Sequence, residues 1–90
     1  MTFGSSADST GQVVECSEAP ESAIAYTSKT GPTYVSADWC TAAIGAGSNS
    51  DKITVTVNAN NTGESRTAYI QVEFANNVKE WVTVTQAAGE

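Results

Sequence analysis

The sequence predicts an all-β protein built from two antiparallel sheets of short strands packed face to face. Three observations carry this. Between residues 52 and 86 three runs alternate strictly between apolar and polar side chains, the period of half-buried strands. Asn- and Gly-rich segments with turn chemistry separate those runs. The charged fraction is only 16%, a composition of many short strands and polar turns in which no amphipathic helical period stands out.

Taken in order, residues 12–16 (Gln-Val-Val-Glu-Cys) and 23–27 (Ala-Ile-Ala-Tyr-Thr) read as strands. Thr30, Gly31, Pro32 and Thr33 form a turn, because proline presets φ and glycine takes conformations closed to other residues. Residues 34–40 then read as a strand with Val35, Ala37 and Trp39 on one face. Residues 42–50 are a connector of small residues, in which a short strand near Ile44 is the weaker reading. The three alternating strands follow at residues 52–58, 66–74 and 78–86.

The last hairpin is predicted at residue level. With Ala75, Asn76 and Asn77 as the turn, Phe74 faces Val78, Ile70 faces Val82 and Ala68 faces Val84, which makes that face the core. Asn77 supplies the left-handed residue that such a turn prefers. On the other face the register sets Glu73 against Lys79, an opposite-charge cross-strand pair. Arg66 falls opposite Gln86, where the two can cap sheet-end carbonyls or pair with each other. A slip of one residue spoils every pair at once. Glu80 is the misfit, with inward parity; near the hairpin tip it either reaches solvent or meets the backbone of an N-terminal strand.

Ninety residues amount to one domain, spanning 1–90, in which roughly 60–65% of the unfolded surface is buried. Four basic residues against ten acidic ones give a net charge of −6, which repels a phosphate backbone and an anionic membrane surface. No apolar run approaches the length of a membrane span, so no direct membrane insertion is expected. The first residues carry neither a positive start nor an apolar stretch, so no signal peptide is read, and a free-standing small protein is expected.

Catalytic chemistry finds no support. With no histidine, neither a Ser-His-Asp nor a Cys-His arrangement can be built. The ten acidic residues are scattered, without a pair placed as a glycosidase acid and base. The expectation is a non-enzyme without cofactor or metal. Residues 58–63 (Asn-Ala-Asn-Asn-Thr-Gly) faintly resemble the start of a calcium loop, but the donors are neutral and Tyr69 stands where a bidentate Glu is required. A polar turn between strands is the favoured reading. Cys16 and Cys40 are the only cysteines; a bridge and two free thiols both remain open, with free thiols preferred.

The aromatic residues hold the functional hint. Trp39 shares parity with Val35 and Ala37 and reads as core. Trp81 has Lys79 and Thr83 as its i±2 neighbours, so it lies on the polar face, opposite Gln71 and diagonal to Tyr69. Trp81, Tyr69, Gln71 and Thr83 are therefore the candidate partner- or glycan-binding residues. A protein partner is preferred over a stacked sugar ring, since Trp and Tyr dominate interface hot spots. The competing reading is a residue packed over its own sheet.

The strand Ile53-Thr-Val-Thr-Val-Asn58, the Asn-rich turn, Arg66 opening an alternating strand and the closing Val82-Thr-Val-Thr-Gln86 resemble the BACON family, as does Trp39 before the connector. The resemblance covers residues 39–86; the family's upstream tryptophan is not evident, and Tyr26 or Tyr34 stands in its place. It implies an immunoglobulin-like antiparallel β-sandwich of six to eight short strands. BACON domains occur in secreted, often lipid-anchored polysaccharide-processing proteins of gut Bacteroidales, and in virion proteins of their phages. The implied function is a non-enzymatic structural or interaction module. Preferred is an auxiliary decoration protein on a phage virion surface, its partner the shell or a neighbouring domain. The alternative is a carbohydrate-binding or spacer module of a secreted or cell-surface polysaccharide-processing protein.

Overall fold

The structure, a computed structural model, describes residues 1–29 and 34–89. The turn expected at residues 30–33 lies outside the described residues. Seven strands are present: β1 (Thr2–Phe3), β2 (Asp8–Glu15), β3 (Ser22–Tyr26), β4 (Cys40–Ile44), β5 (Lys52–Val57), β6 (Arg66–Glu73) and β7 (Lys79–Gln86). They form two sheets, one in the order β1-β7-β6-β3 and one in the order β2-β5-β4. The fold is all-β, as expected.

Side-chain alternation explains the core. Along β5 every second residue is buried, and Ile53, Val55 and Val57 point inward while the threonines between them do not. In β6 the inward set is Ala68, Ile70 and Val72, and Val84 joins it from β7. These residues make one buried cluster with Phe3, Ala25, Cys40, Trp39 and Phe74, drawn from both sheets. Roughly 25 cal/mol for each Å² of apolar surface removed from water makes this burial the main stabilising term.

The β6–β7 hairpin has the expected register throughout. Ile70 pairs with Val82, Ala68 with Val84, Gln71 with Trp81, Glu73 with Lys79 and Arg66 with Gln86. Phe74 N donates to Val78 O at 2.7 Å, which closes the turn. Asn77 takes φ 64°, the left-handed conformation that the turn requires. Glu80 pairs with Val72 and is exposed.

Three expectations are corrected. Residues 34–40 are not a regular strand: Ser36 makes only an isolated bridge to Tyr26, and Val35 is 60% exposed while Ala37 and Trp39 are buried. The segment runs briefly along the outer margin of β3, with Thr27 N donating to Val35 O and Ala37 N to Ala25 O. Among the described residues nothing covers Val35 there, and the chain then turns at residues 38–39 to enter the second sheet. Next, the first three residues of the supposed connector, 42–44, belong to β4, the weaker reading near Ile44, and β4 pairs residue for residue with β5 from Cys40↔Val57 to Ile44↔Ile53. The ladder offered by β5 outweighs the weak strand propensity of Thr-Ala-Ala. Finally, the first sheet is not purely antiparallel, because β1 joins β7 in parallel through Thr2↔Thr85 and Phe3↔Gln86.

The N-terminal segment serves both sheets. After β1 the chain crosses to β2, whose bulge between Asp8 and Gln12 places Gly11 at φ 85°. Gly11 N donates to Asp8 Oδ1 at 2.8 Å, which fixes the bend.

Candidate functional site

The expected candidate residues lie on the outer face of the β7-β6-β3 sheet, in two rows across the strands. One row is Ile24, Gln71 and Trp81; the next is Tyr26, Tyr69 and Thr83. The alternation that turns Ala23, partly buried, and Ala25, buried, toward the core turns Ile24 and Tyr26 outward in β3, and it does the same for Trp81 in β7.

The aromatic grouping differs from the expected pair. The rings nearest Trp81 belong to Tyr34, at 5.8 Å between centroids, and Tyr26, at 6.4 Å. Tyr26 and Tyr34 are themselves 5.2 Å apart. β3 and β7 flank β6, so the Trp81 and Tyr26 rings lean toward each other over the intervening strand. The planes of Tyr26 and Trp81 meet at 61°, and Tyr34 is tilted 42° from one and 38° from the other. Tyr69 instead lies under Lys29, whose Nζ is 5.5 Å from its ring centroid. Tyr34 is 39% exposed and Ile24 43%, while Tyr26, Tyr69, Gln71 and Trp81 are half-buried and Thr83 is exposed.

Sequence reasoning placed Trp81 correctly on this face but missed Tyr26 and Tyr34 as its ring partners. Outward parity for Tyr26 was readable from the alternation of residues 23–27. That β3 lies beside β6, with residues 34–36 outside it, was not.

Trp39 is buried, as expected, and the Arg66 guanidinium carbon sits 4.5 Å from its ring centroid. The loop at residues 58–63 is held by Asn60, whose side chain uses all its hydrogen-bonding capacity within the chain. Its Nδ2 donates to Glu64 O at 2.8 Å and Ala87 O at 2.9 Å, and its Oδ1 accepts from Thr62 N at 3.0 Å and Thr62 Oγ1 at 2.7 Å. A calcium ion has no claim on an amide so engaged. Among the described residues, no group of three or more acidic, Cys or His side chains is placed to hold a metal.

Cys16 and Cys40 are free thiols. Cys16 N bonds to Asp51 O at one end of β5, whereas Cys40 pairs with Val57 at the other. Six residues of strand separate those points, about 20 Å at the usual rise, far beyond disulfide reach. Burial pushes the Cys40 thiol up to about 11, against the opposing pull of Arg66. Burial also raises Cys16, with the charges of Asp51 and Glu80 adding to the effect.

The fold and this face define a small all-β module whose most distinctive surface is a cluster of three aromatic rings. The BACON family model, described as "Putative binding domain, N-terminal", matches residues 25–87, and the chain belongs to that family. The fold is also similar to the NMR structure of a protein from Bacteroides thetaiotaomicron, with a TM-score of 0.63 and 18% identity over 100% of this chain and 76% of that one. No curated protein is significantly similar to it.

Proposed function

We propose that this chain is a non-catalytic binding module, one immunoglobulin-like sandwich spanning residues 1–90, that takes a carbohydrate chain on its outer aromatic face. The host would be a secreted or cell-surface protein. The observation that carries this reading is the cluster of Tyr26, Tyr34 and Trp81, three rings in mutual contact on a sheet face rather than in the core. The apolar faces of pyranose rings stack on such surfaces, and neighbouring polar groups set orientation. Those groups are Gln71 and Thr83, which stand in the same two rows as Trp81 and Tyr26; Lys29 lies over the neighbouring Tyr69. The stepwise tilt from Tyr26 through Tyr34 to Trp81 suits a glycan whose successive sugars rotate, not a flat crystalline surface.

Membership of a family described as a binding domain supports the reading. The virion-subunit expectation draws no support from the family or from the similar structure, and the module reading is preferred. Affinity electrophoresis through gels containing soluble polysaccharides tests it. At least one polysaccharide should retard the protein, and Trp81→Ala and Tyr26→Ala should each abolish the retardation while keeping the native NMR spectrum. If no polysaccharide retards the wild type, the aromatic face is a spacer or protein-contact surface instead.

A further inference from the structure

The aromatic face carries a positive charge that no acid of the chain matches among the described residues. The chain has four basic residues against ten acidic ones. Lys52 sits 3.5 Å from Asp51 and 3.8 Å from Glu15, and Lys79 sits 3.8 Å from Glu73. Arg66 directs Nε to Gln86 and a terminal nitrogen to the carbonyls of Asn58 and Ala59. Lys29 is the remaining base. It is exposed, and among the described residues no carboxylate lies within ion-pair distance of it. Residues 30–33, Thr-Gly-Pro-Thr, contain no acid. An unmatched base is unexpected in a chain so rich in carboxylates.

A ring holds this base in place. Lys29 Nζ lies 5.5 Å from the centroid of Tyr69. The ring face attracts the ammonium through its quadrupole, which carries no net charge, so Lys29 is positioned without being neutralised. Tyr69 pairs with Tyr26 on one side and with Thr83 on the other, and neighbouring strands lie about 4.8 Å apart. The charge therefore stands beside the rings of Tyr26, Tyr34 and Trp81, one strand from Tyr26.

The charges on the face are also separated along its length. Among the outward residues of β3, β6 and β7 the alternation places one acid, Glu73, and it is the acid paired with Lys79. Glu21 is at the same end, its N–H donating to Glu73 O at 2.7 Å. Glu73 is four residues along β6 from Tyr69, about 13 Å at the usual rise. Exposed charges that far apart are screened at physiological salt, where the Debye length is about 8 Å. The local balance, and not the net charge of −6, then decides what the Lys29 end attracts.

We infer that the glycan taken by this face is anionic, with a carboxylate or sulfate group seated on Lys29 while a neighbouring sugar stacks on the three rings. The inference rests on the carbohydrate-binding reading above and names the class of glycan. Rings supply apolar contact, and the ammonium supplies a charge-assisted hydrogen bond that a neutral sugar cannot return.

Calorimetric titration of the full chain with two matched pairs of ligands tests it. One pair is oligogalacturonate and the same oligomers with their carboxyl groups reduced to alcohols. The other is a sulfated galactan oligomer and its desulfated form. In at least one pair the anionic member should bind about three- to fivefold more tightly, and the pair that shows it tells carboxylate from sulfate. Added salt should narrow the gap. Lys29→Gln, an exposed change, should erase the preference, and Lys29→Arg should keep it. Trp81→Ala should weaken both members of the pair. Equal affinity within both pairs, or a preference that survives Lys29→Gln, overturns the inference and leaves the carbohydrate reading in place. Binding of no member of either pair overturns both.

Discussion

Arg66 and Gln86 face each other across β6 and β7, and Arg66 Nε donates to Gln86 Oε1 at 2.8 Å. Gln86 is wholly buried, and its Nε2 donates to Asn58 O at 2.7 Å and Gly4 O at 3.2 Å. The second arm of Arg66 reaches Ala59 O at 3.1 Å and Asn58 O at 3.3 Å, while its guanidinium carbon lies 4.5 Å from the Trp39 ring centroid. One polar pair thus ties the closing strand, the N-terminal segment and the loop after β5 together.

Gln86→Leu keeps the volume but strands Arg66 Nε and Gly4 O and takes from Asn58 O the shorter of its two hydrogen bonds. The expected loss is about 2–3 kcal/mol, measured as a lower urea midpoint with an unchanged slope. Arg66→Lys should lose a similar share, because an ammonium cannot stack on Trp39 and bond in two directions at once.

Asn60→Asp should destabilise more than Asn60→Ala at neutral pH. The two amide protons of Asn60 point at the Glu64 and Ala87 carbonyls, and a carboxylate would place oxygen against both. That buried carboxyl would titrate above its unfolded value, so the variant should recover stability as the pH falls. Thermal melts of both variants between pH 4 and 7 check the crossing.

Gly11→Ala meets two obstacles. A Cβ there would lie 2.7 Å from both Thr54 Cγ2 and Val55 O, and φ 85° is strained for any L side chain. The expected cost is at least about 2 kcal/mol, whereas Gly63→Ala, at φ 79° but with open space around it, should cost less. Chemical denaturation of the pair separates steric clash from backbone strain.

Cys40 gives stability an alkaline limit. Its folded-state value of about 11 lies above the ordinary 9.0, so the neutral thiol favours the native state. That contribution is whole below pH 9, the unfolded value, and is lost as the pH rises through about 11. Unfolding free energy should fall across this window, and the fall should be shallower in Cys40→Ala. At pH 8 the native chain should resist iodoacetamide at Cys40, and denaturant should release it.

The β6–β7 hairpin was legible in full, down to Glu73 against Lys79 and the left-handed Asn77, because neighbouring strands joined by a short turn have one register that buries every apolar residue. The burial of Trp39 followed from the same local parity. β4 was obscure, since Thr-Ala-Ala carries little strand signal until β5 stands beside it. Val35 was misplaced because its exposure depends on what lies beyond β3, which no local pattern states.

The sequence alone determined an all-β chain, its strongest hairpin, the side of each strand that faces the core and the outward placement of Trp81. Alternation and turn chemistry act over a few residues, and they leave a readable trace. Tertiary structure decided that β3 lies against β6, so that Tyr26 and Tyr34 meet Trp81 while Tyr69 goes to Lys29. It also decided that β1 joins β7 in parallel, through Thr2↔Thr85 and Phe3↔Gln86. Those neighbours are distant in sequence, and they are chosen by the summed burial of two sheets rather than by any residue's own preference.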